Sequence, residues 1–191
     1  MKRTFGLLWP TLAAALLTGN NVSNPRLSFQ GLGPIRIGMT VEQVKTLGFK
    51  LTTDGPWSNE EERFSCHYLD SAPDYPDIAL MMNEDRLVRI DVSYGSDPGL
   101  WQSVSGARVG MSEQEVRAVY GDWLVSSAHP YANDSGSYLS LTSSDGTYAM
   151  IFETAVDGTR RETEDPKSQT KYVSNFRAGL KAAVGYIEGC A

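Results

Sequence analysis

Few side chains in this sequence are of types that do chemistry, and those few are scattered. His67 lies in a strand-like segment and His129 in a loop-like one before Pro130. An imidazole titrates near neutral pH, so either is a candidate general base or metal ligand. The other reading is a sheet-face histidine and a loop histidine, each held by local hydrogen bonds. No nucleophile elbow, phosphate loop, zinc signature or EF-hand accompanies them. Asn133-Asp134-Ser135-Gly136 and Ser143-Ser144-Asp145-Gly146 carry oxygen donors. They lack the spaced ligands and closing Glu of a calcium loop, and turn chemistry accounts for them. His67 adjoins Cys66, but adjacent strand residues point to opposite faces, which makes a joint metal site geometrically poor. The expectation is a binding protein rather than an enzyme, with no metal and no cofactor. A hydrolase using His67 or His129 with a nearby carboxylate is the catalytic alternative.

Cys66 and Cys190 are the two cysteines. In an oxidising compartment an even count reads as one disulfide; two free thiols or a metal pair are the other readings. Closing so long a loop stabilises a fold by about 2–5 kcal/mol in the chain-entropy picture.

Aromatic side chains offer a first binding surface. Trp57 sits in a Gly-Pro-Trp-Ser loop, Trp101 in a linker after Asp97-Pro98-Gly99, and Trp123 past a helix; Tyr75 and Tyr131 are in loop-like segments. Loop aromatics can anchor an interface, or they can plug the ends of a small core. Context assigns Trp123 to the core, leaves Trp101 open, and places Trp57 and Tyr131 partly in solvent. A second candidate surface is a polar sheet face. Strand parity gives it His67, Arg89, Asp91, Glu153 and Arg177, with Ser65 and Ser93 between. Such a face is ordinary where one side of a sheet meets water, and its alternating charges can be cross-strand pairs. The acidic run Glu60-Glu61-Glu62 reads as a solvated face, with a basic partner patch as the minority reading.

An internal repeat positions these residues. Gly33-Pro34-Ile35-Arg36-Ile37-Gly38-Met39-Thr40-Val41-Glu42-Gln43-Val44 recurs as Ser105-Gly106-Ala107-Arg108-Val109-Gly110-Met111-Ser112-Glu113-Gln114-Glu115-Val116. Each copy is a short strand, Gly-Met, a capping box (Thr40 with Gln43, Ser112 with Glu115) and a helix that stops at Gly48 or Gly121. Strands follow each helix: 63–69, 78–82 and 87–94 in the first half, 137–142 and 147–153 in the second. A charged stretch at 159–170 reads as a long loop. Residues 171–177 and 183–190 read as a last hairpin. The expected fold class is α+β: two tandem helix-then-β-meander repeats, 33–104 and 105–191, with helices packed on one face of an antiparallel sheet. A Cys66–Cys190 bond would tie the halves together, with one continuous sheet as one such arrangement.

The beginning of the chain points to a compartment. Lys2 and Arg3 precede an apolar stretch at 5–17 and a small, polar segment at 18–25. That is the layout of a secretory signal peptide, residues 1–19, followed by a linker at 20–32; a frayed apolar helix is the other reading. The stretch is short of the roughly 20 residues a spanning helix needs. The whole chain has 17 basic and 23 acidic residues, a net charge of −6; losing Lys2 and Arg3 with the signal leaves 15 basic residues and a charge of −8. Such a surface disfavours nucleic acid and anionic membranes. The expected setting is periplasmic or secreted, in a Gram-negative bacterium.

The Gly-Met-Thr/Ser-x-x-Gln/Glu-Val pattern, with a meander carrying Leu87-Val88-Arg89-Ile90-Asp91-Val92, resembles the SmpA/OmlA superfamily. The tandem arrangement resembles the β-lactamase inhibitory proteins. Cys66-His67-Tyr68-Leu69, Phe152-Glu153-Thr154 and Tyr186-Ile187-Glu188-Gly189-Cys190 are similar to segments of a group of exported proteobacterial proteins. The resemblance covers residues 33–190 and implies a binding or scaffold protein without a cofactor, which in the inhibitors binds through its sheet surface. Two departures stand out: there is no lipidation cysteine near residue 19, and the only possible bridge joins the repeats. The expected function is binding an envelope protein, inhibitor-like or scaffold-like; small-ligand or glycan binding is the alternative.

Overall fold

The computed structural model describes residues 25–51, 65–70, 72–95, 97, 99–156 and 170–190. The signal segment, Trp57, the Glu60-Glu61-Glu62 run and nearly all of the charged stretch at 159–170 lie outside the described residues.

The chain builds a small sheet of β1 (Leu27–Ser28), β2 (Gly31–Leu32) and β3 (Ile35–Arg36), then helix α1 (Val41–Lys45). Strands β4 (Lys50–Leu51), β5 (Cys66–Asp70), β6 (Ile78–Asn83) and β7 (Arg86–Val92) follow. Helix α2 (Glu113–Tyr120) and a 3-10 turn (Gly121–Trp123) open the second half. Strands β8 (Val125–His129), β9 (Asn133–Thr142), β10 (Tyr148–Val156) and β11 (Lys171–Leu180) come next, then helix α3 (Lys181–Val184).

Strands β4 to β11 form one eight-stranded antiparallel sheet in the order β4-β5-β6-β7-β11-β10-β9-β8. Each half contributes a four-stranded meander, and the halves meet through their last strands, β7 against β11. This order reads the same from either edge, as a pseudo-two-fold axis between β7 and β11 requires. At that seam Gly179 lies across from a bulge in β7, and a Cβ there would sit 2.2 Å from the Val88 carbonyl oxygen. Only glycine lets the strands approach so closely.

The repeat has one local geometry in both copies. Thr40 and Ser112 each accept from the backbone N–H three residues on, and the Gln43 and Glu115 side chains return the bond. The Gly-Met pair preceding each cap docks on a strand. Gly38 N–H donates to Leu87 O and Leu87 N–H to Met39 O; Gly110 N–H donates to Val173 O and Val173 N–H to Met111 O. Gly38 and Gly110 have φ of +92° and +83°, a conformation that favours glycine.

The α+β expectation is overturned. Among the described residues the protein is mostly antiparallel β, and the helices there do not form a layer on the sheet. Helix α1 has 5 residues and α2 has 8, and each buries one side chain fully, Val44 and Val116. The capping boxes marked both helices correctly, but so short a helix has too little apolar face to cover eight strands. The small sheet and irregular chain supply most of the cover instead: Leu27, Leu32, Ile35, Phe49, Trp101, Ala107 and Val109 pack on Ile78, Leu80, Ile90, Leu139, Phe152 and Phe176. The expected last hairpin is also absent. Strand β11 runs to Leu180, and Lys181–Val184 turns into a helix rather than returning as a strand.

Candidate functional site

Strand alternation sends Ile90 and Val92 into the main core and Arg89 and Asp91 to the opposite face. Register carries that face across the sheet: Met81 pairs with Arg89, Asp91 with Arg177, and Glu153 with Asn175 and Tyr138. Arg89, Asp91, Arg177 and Glu153 therefore share a face. His67 does not, because it pairs with Met82 on the core side, where it is buried. The expectation had grouped it with the arginines; strand β5 instead presents Cys66 and Tyr68 to them.

This face is not open to solvent. Residues 181–190 lie across it, and Arg89 and Arg177 are 4% and 6% exposed. Arg89 Nη1 donates to the carbonyls of Ala183 (2.9 Å) and Tyr186 (2.8 Å), its Nη2 to the Tyr68 hydroxyl, and its Nε to Asp91 Oδ2 at 3.0 Å. Arg177 Nε donates to Val184 O at 2.8 Å, and its Nη1 pairs with Glu153 Oε1. Strand parity reads Arg89, Asp91, Glu153 and Arg177 correctly as one face; the cover itself is marked by Met81, Val88, Tyr138, Ala149 and Ile151, buried beside them against Ala183 and Val184.

The charges shape one another. Burial pushes the Asp91 carboxyl above its ordinary value, against the pull of Arg89 and Arg177. Burial, with Asp91 beside it, takes Tyr68 up to about 12, so its hydroxyl stays protonated at neutral pH. His129 Nδ1 accepts the N–H groups of Tyr131 and Ala132, at 3.1 and 3.2 Å. Its Nε2 lies 3.7 Å from Glu153 Oε2, and its ring meets Tyr138 edge-on. Burial and then Arg177 lower its pKa. Arg177, ion-paired with Glu153, sets its positive charge against the carboxylate beside the ring. With Nδ1 occupied as an acceptor, the proton of neutral His129 sits on Nε2, facing Glu153. His129 thus has a carboxylate neighbour, as a hydrolase would need, but the nitrogen that would accept a substrate proton is taken by backbone. Among the described residues no group of three or more His, Cys, Asp or Glu is placed to hold a metal.

Cys66 and Cys190 form a disulfide across 124 positions. Cys190 closes the covering segment over β5, and the Tyr131 hydroxyl donates to Glu188 of the same segment.

The aromatic candidates separate sharply. Trp101 is 4% exposed; its indole N–H donates to Pro76 O, and it stacks on Tyr75, which stacks on Phe49. It is a core residue. Trp123, expected in the core, is 80% exposed, because the chain leaves α2 in a 3-10 turn that swings the indole outward. Tyr131 is 63% exposed. Val125, Tyr186 and Ile187, which sequence reasoning did not single out, are also exposed.

Strand β8, two residues after Trp123, is one edge of the large sheet, and all of Val125, Ser126, Ser127 and Ala128 are exposed. Proteins blunt such edges with Lys, Pro or very short strands. The opposite edge, β4, does so: it has two residues, one of them Lys50. Strand β8 carries no charged side chain and no proline. A shallow cleft of about 280 Å³ lies elsewhere, lined by Ser28, Phe29, Gln30, Ser143, Ser144, Asp145 and Tyr148. Asp145 there spends one oxygen on the Ser143 hydroxyl and the Thr147 N–H, as a turn residue does.

Comparison of the chain with protein-family models, with curated proteins and with solved structures gives no match. Among the described residues no helix is long and apolar enough to cross a membrane.

Proposed function

We propose that this chain is an exported, oxidised binding protein of the bacterial cell envelope that takes an extended segment of a partner protein along β8. The observation that carries this reading is the unprotected edge of β8 with Trp123 at its start. A sheet edge presents a row of backbone donors and acceptors, and an added strand satisfies them while side-chain contacts supply selectivity. Trp123 and Val125 are the apolar contacts at the start of that edge, and an exposed Trp is the side chain most often found to dominate an interface. The acidic net charge favours a partner segment flanked by Lys or Arg. The n/h/c layout of the first 19 residues and the Cys66–Cys190 bond support export to an oxidising compartment.

The test is crosslinked affinity purification of the mature chain from a periplasmic extract, in parallel with Trp123→Ala and Val125→Lys. The expected result is a partner captured by the wild type and lost by both variants. An identical set of proteins for all three contradicts the reading. Amino-terminal sequencing of the periplasmic protein is expected to begin near Asn20; a cytoplasmic protein retaining Met1 contradicts export.

Glycan or small-ligand binding has one observation in its favour, the cleft that sets Phe29 and Tyr148 beside Gln30 and four serine or aspartate side chains. A thermal-shift screen with envelope sugars reads it directly, and a flat response rejects it.

A further inference from the structure

We propose that residues 181–190 are a releasable strap over the charged sheet face, and that the Cys66–Cys190 bond is its latch. The inference stands apart from the β8 edge and does not need it. With the bond intact, the segment is fixed at both ends: by the chain at Leu180, and by the sulfur of Cys66 on β5. Between those ends its grip is light. Ala183 and Val184 are its two fully buried apolar side chains, while Tyr186 and Ile187 are exposed. Its remaining anchors are carbonyl oxygens held by Arg89 and Arg177, and the contact of Glu188 with Tyr131. Water can replace each of these.

What lies beneath suits opening. Beneath the strap lie two guanidiniums, two carboxylates and a phenol, which hydrate well, beside two small apolar clusters, Met81 and Val88 against Ala183, and Tyr138, Ala149 and Ile151 against Val184; the main core on the other face stays sealed when the strap leaves. The closed arrangement also leaves Arg177 Nη2 buried with no hydrogen-bonding partner among the described residues. Such a group costs free energy when buried and none when solvated. A charged face capped by residues 181–190 largely through polar contacts is conditionally covered. The single covalent tie at position 190 decides whether it stays so.

The chemical step is thiol–disulfide exchange with a dithiol reductant. One thiolate of the dithiol attacks a sulfur of the bridge, the second thiolate displaces the mixed disulfide, and the dithiol leaves as its own disulfide. Two electrons and two protons pass to Cys66 and Cys190, which end as thiols. The strap is then held only by its non-covalent contacts. Its release presents Arg89, Arg177, Asp91, Glu153 and Tyr68, with Met81, Val88 and Ile151 beside them, as one open surface.

Hydrogen exchange of the full mature chain, with and without dithiothreitol and in Cys66→Ser and Cys190→Ser variants, tests the latch. The expected result is exchange at least tenfold faster in residues 181–190 on reduction and in both variants, with residues 133–156 unchanged. Unchanged exchange in 181–190 after complete reduction would show that the strap holds without its latch. Faster exchange across 133–156 as well would show that the bond secures the whole fold. Either result overturns the proposal.

Discussion

Glu153 meets Arg177 on one side and His129 on the other, with the Arg177 side chain buried and that of Glu153 only 13% exposed. Removing one partner of such a pair leaves the other charge uncompensated, at a cost of about 3–5 kcal/mol. Glu153→Gln should lower the urea-unfolding free energy by that order. Trp123→Ala, with no buried contact to lose, should stay within about 0.5 kcal/mol of wild type. A second expectation concerns His129. Its folded-state pKa lies below the ordinary value, so over the window beneath about pH 6.5 the unfolded chain binds a proton that the folded chain does not. The stability it contributes is present above that ordinary value and is lost as pH falls toward the lowered one. Unfolding curves from pH 7.5 to 5 should show wild type losing more stability than His129→Gln; parallel curves would mean that His129 titrates as it does in water. Residue type and strand parity made Arg89, Asp91, Glu153 and Arg177 legible as neighbours. The partners of His129 were not legible, because backbone amides that fill Nδ1 leave no mark in a side-chain pattern.

Among the elements, the two capped turns were the most legible. Thr40 with Gln43 and Ser112 with Glu115 are short-range chemistry, and short-range chemistry is written locally. Ser112→Ala should cost about 1 kcal/mol in denaturant unfolding, and Thr40→Ala a similar amount. What local signals did not carry is how far each element extends. Nothing in Val41, Val44 and Leu47 says that α1 ends after 5 residues, so the helices were expected to do covering work that the β1-β2-β3 sheet does. The last residues failed for a related reason. The apolar residues within 183–190 suggest a strand, but β11 already has both neighbours, β7 and β10, and leaves no edge for a returning strand. The free edge lies instead at β8, which sequence reading had merged into a loop.

For the whole molecule, the duplication visible in the sequence becomes two four-stranded meanders back to back. Their seam is the least forgiving place in the fold. Gly179→Ala puts a methyl against the Val88 carbonyl and should cost about 1–3 kcal/mol, the usual penalty of overpacking, with the loss seen equally by probes in either half. Transitions that separate between the halves would mean that the eight strands do not unfold as one unit. Arg89, Asp91 and Arg177 of the polar face lie on the seam strands β7 and β11, and the strap and the β8 edge belong to the second half, so the two copies of the repeat differ in what surrounds a common frame.

The measurement that bears most directly on the binding reading is amide exchange along β8 with and without a partner captured by the mature chain. Pairing with an extended segment predicts that outward-pointing amides within Val125–His129 exchange quickly in the free protein and slow markedly in the complex. Protection confined to other regions, with β8 exchanging as before, would contradict it.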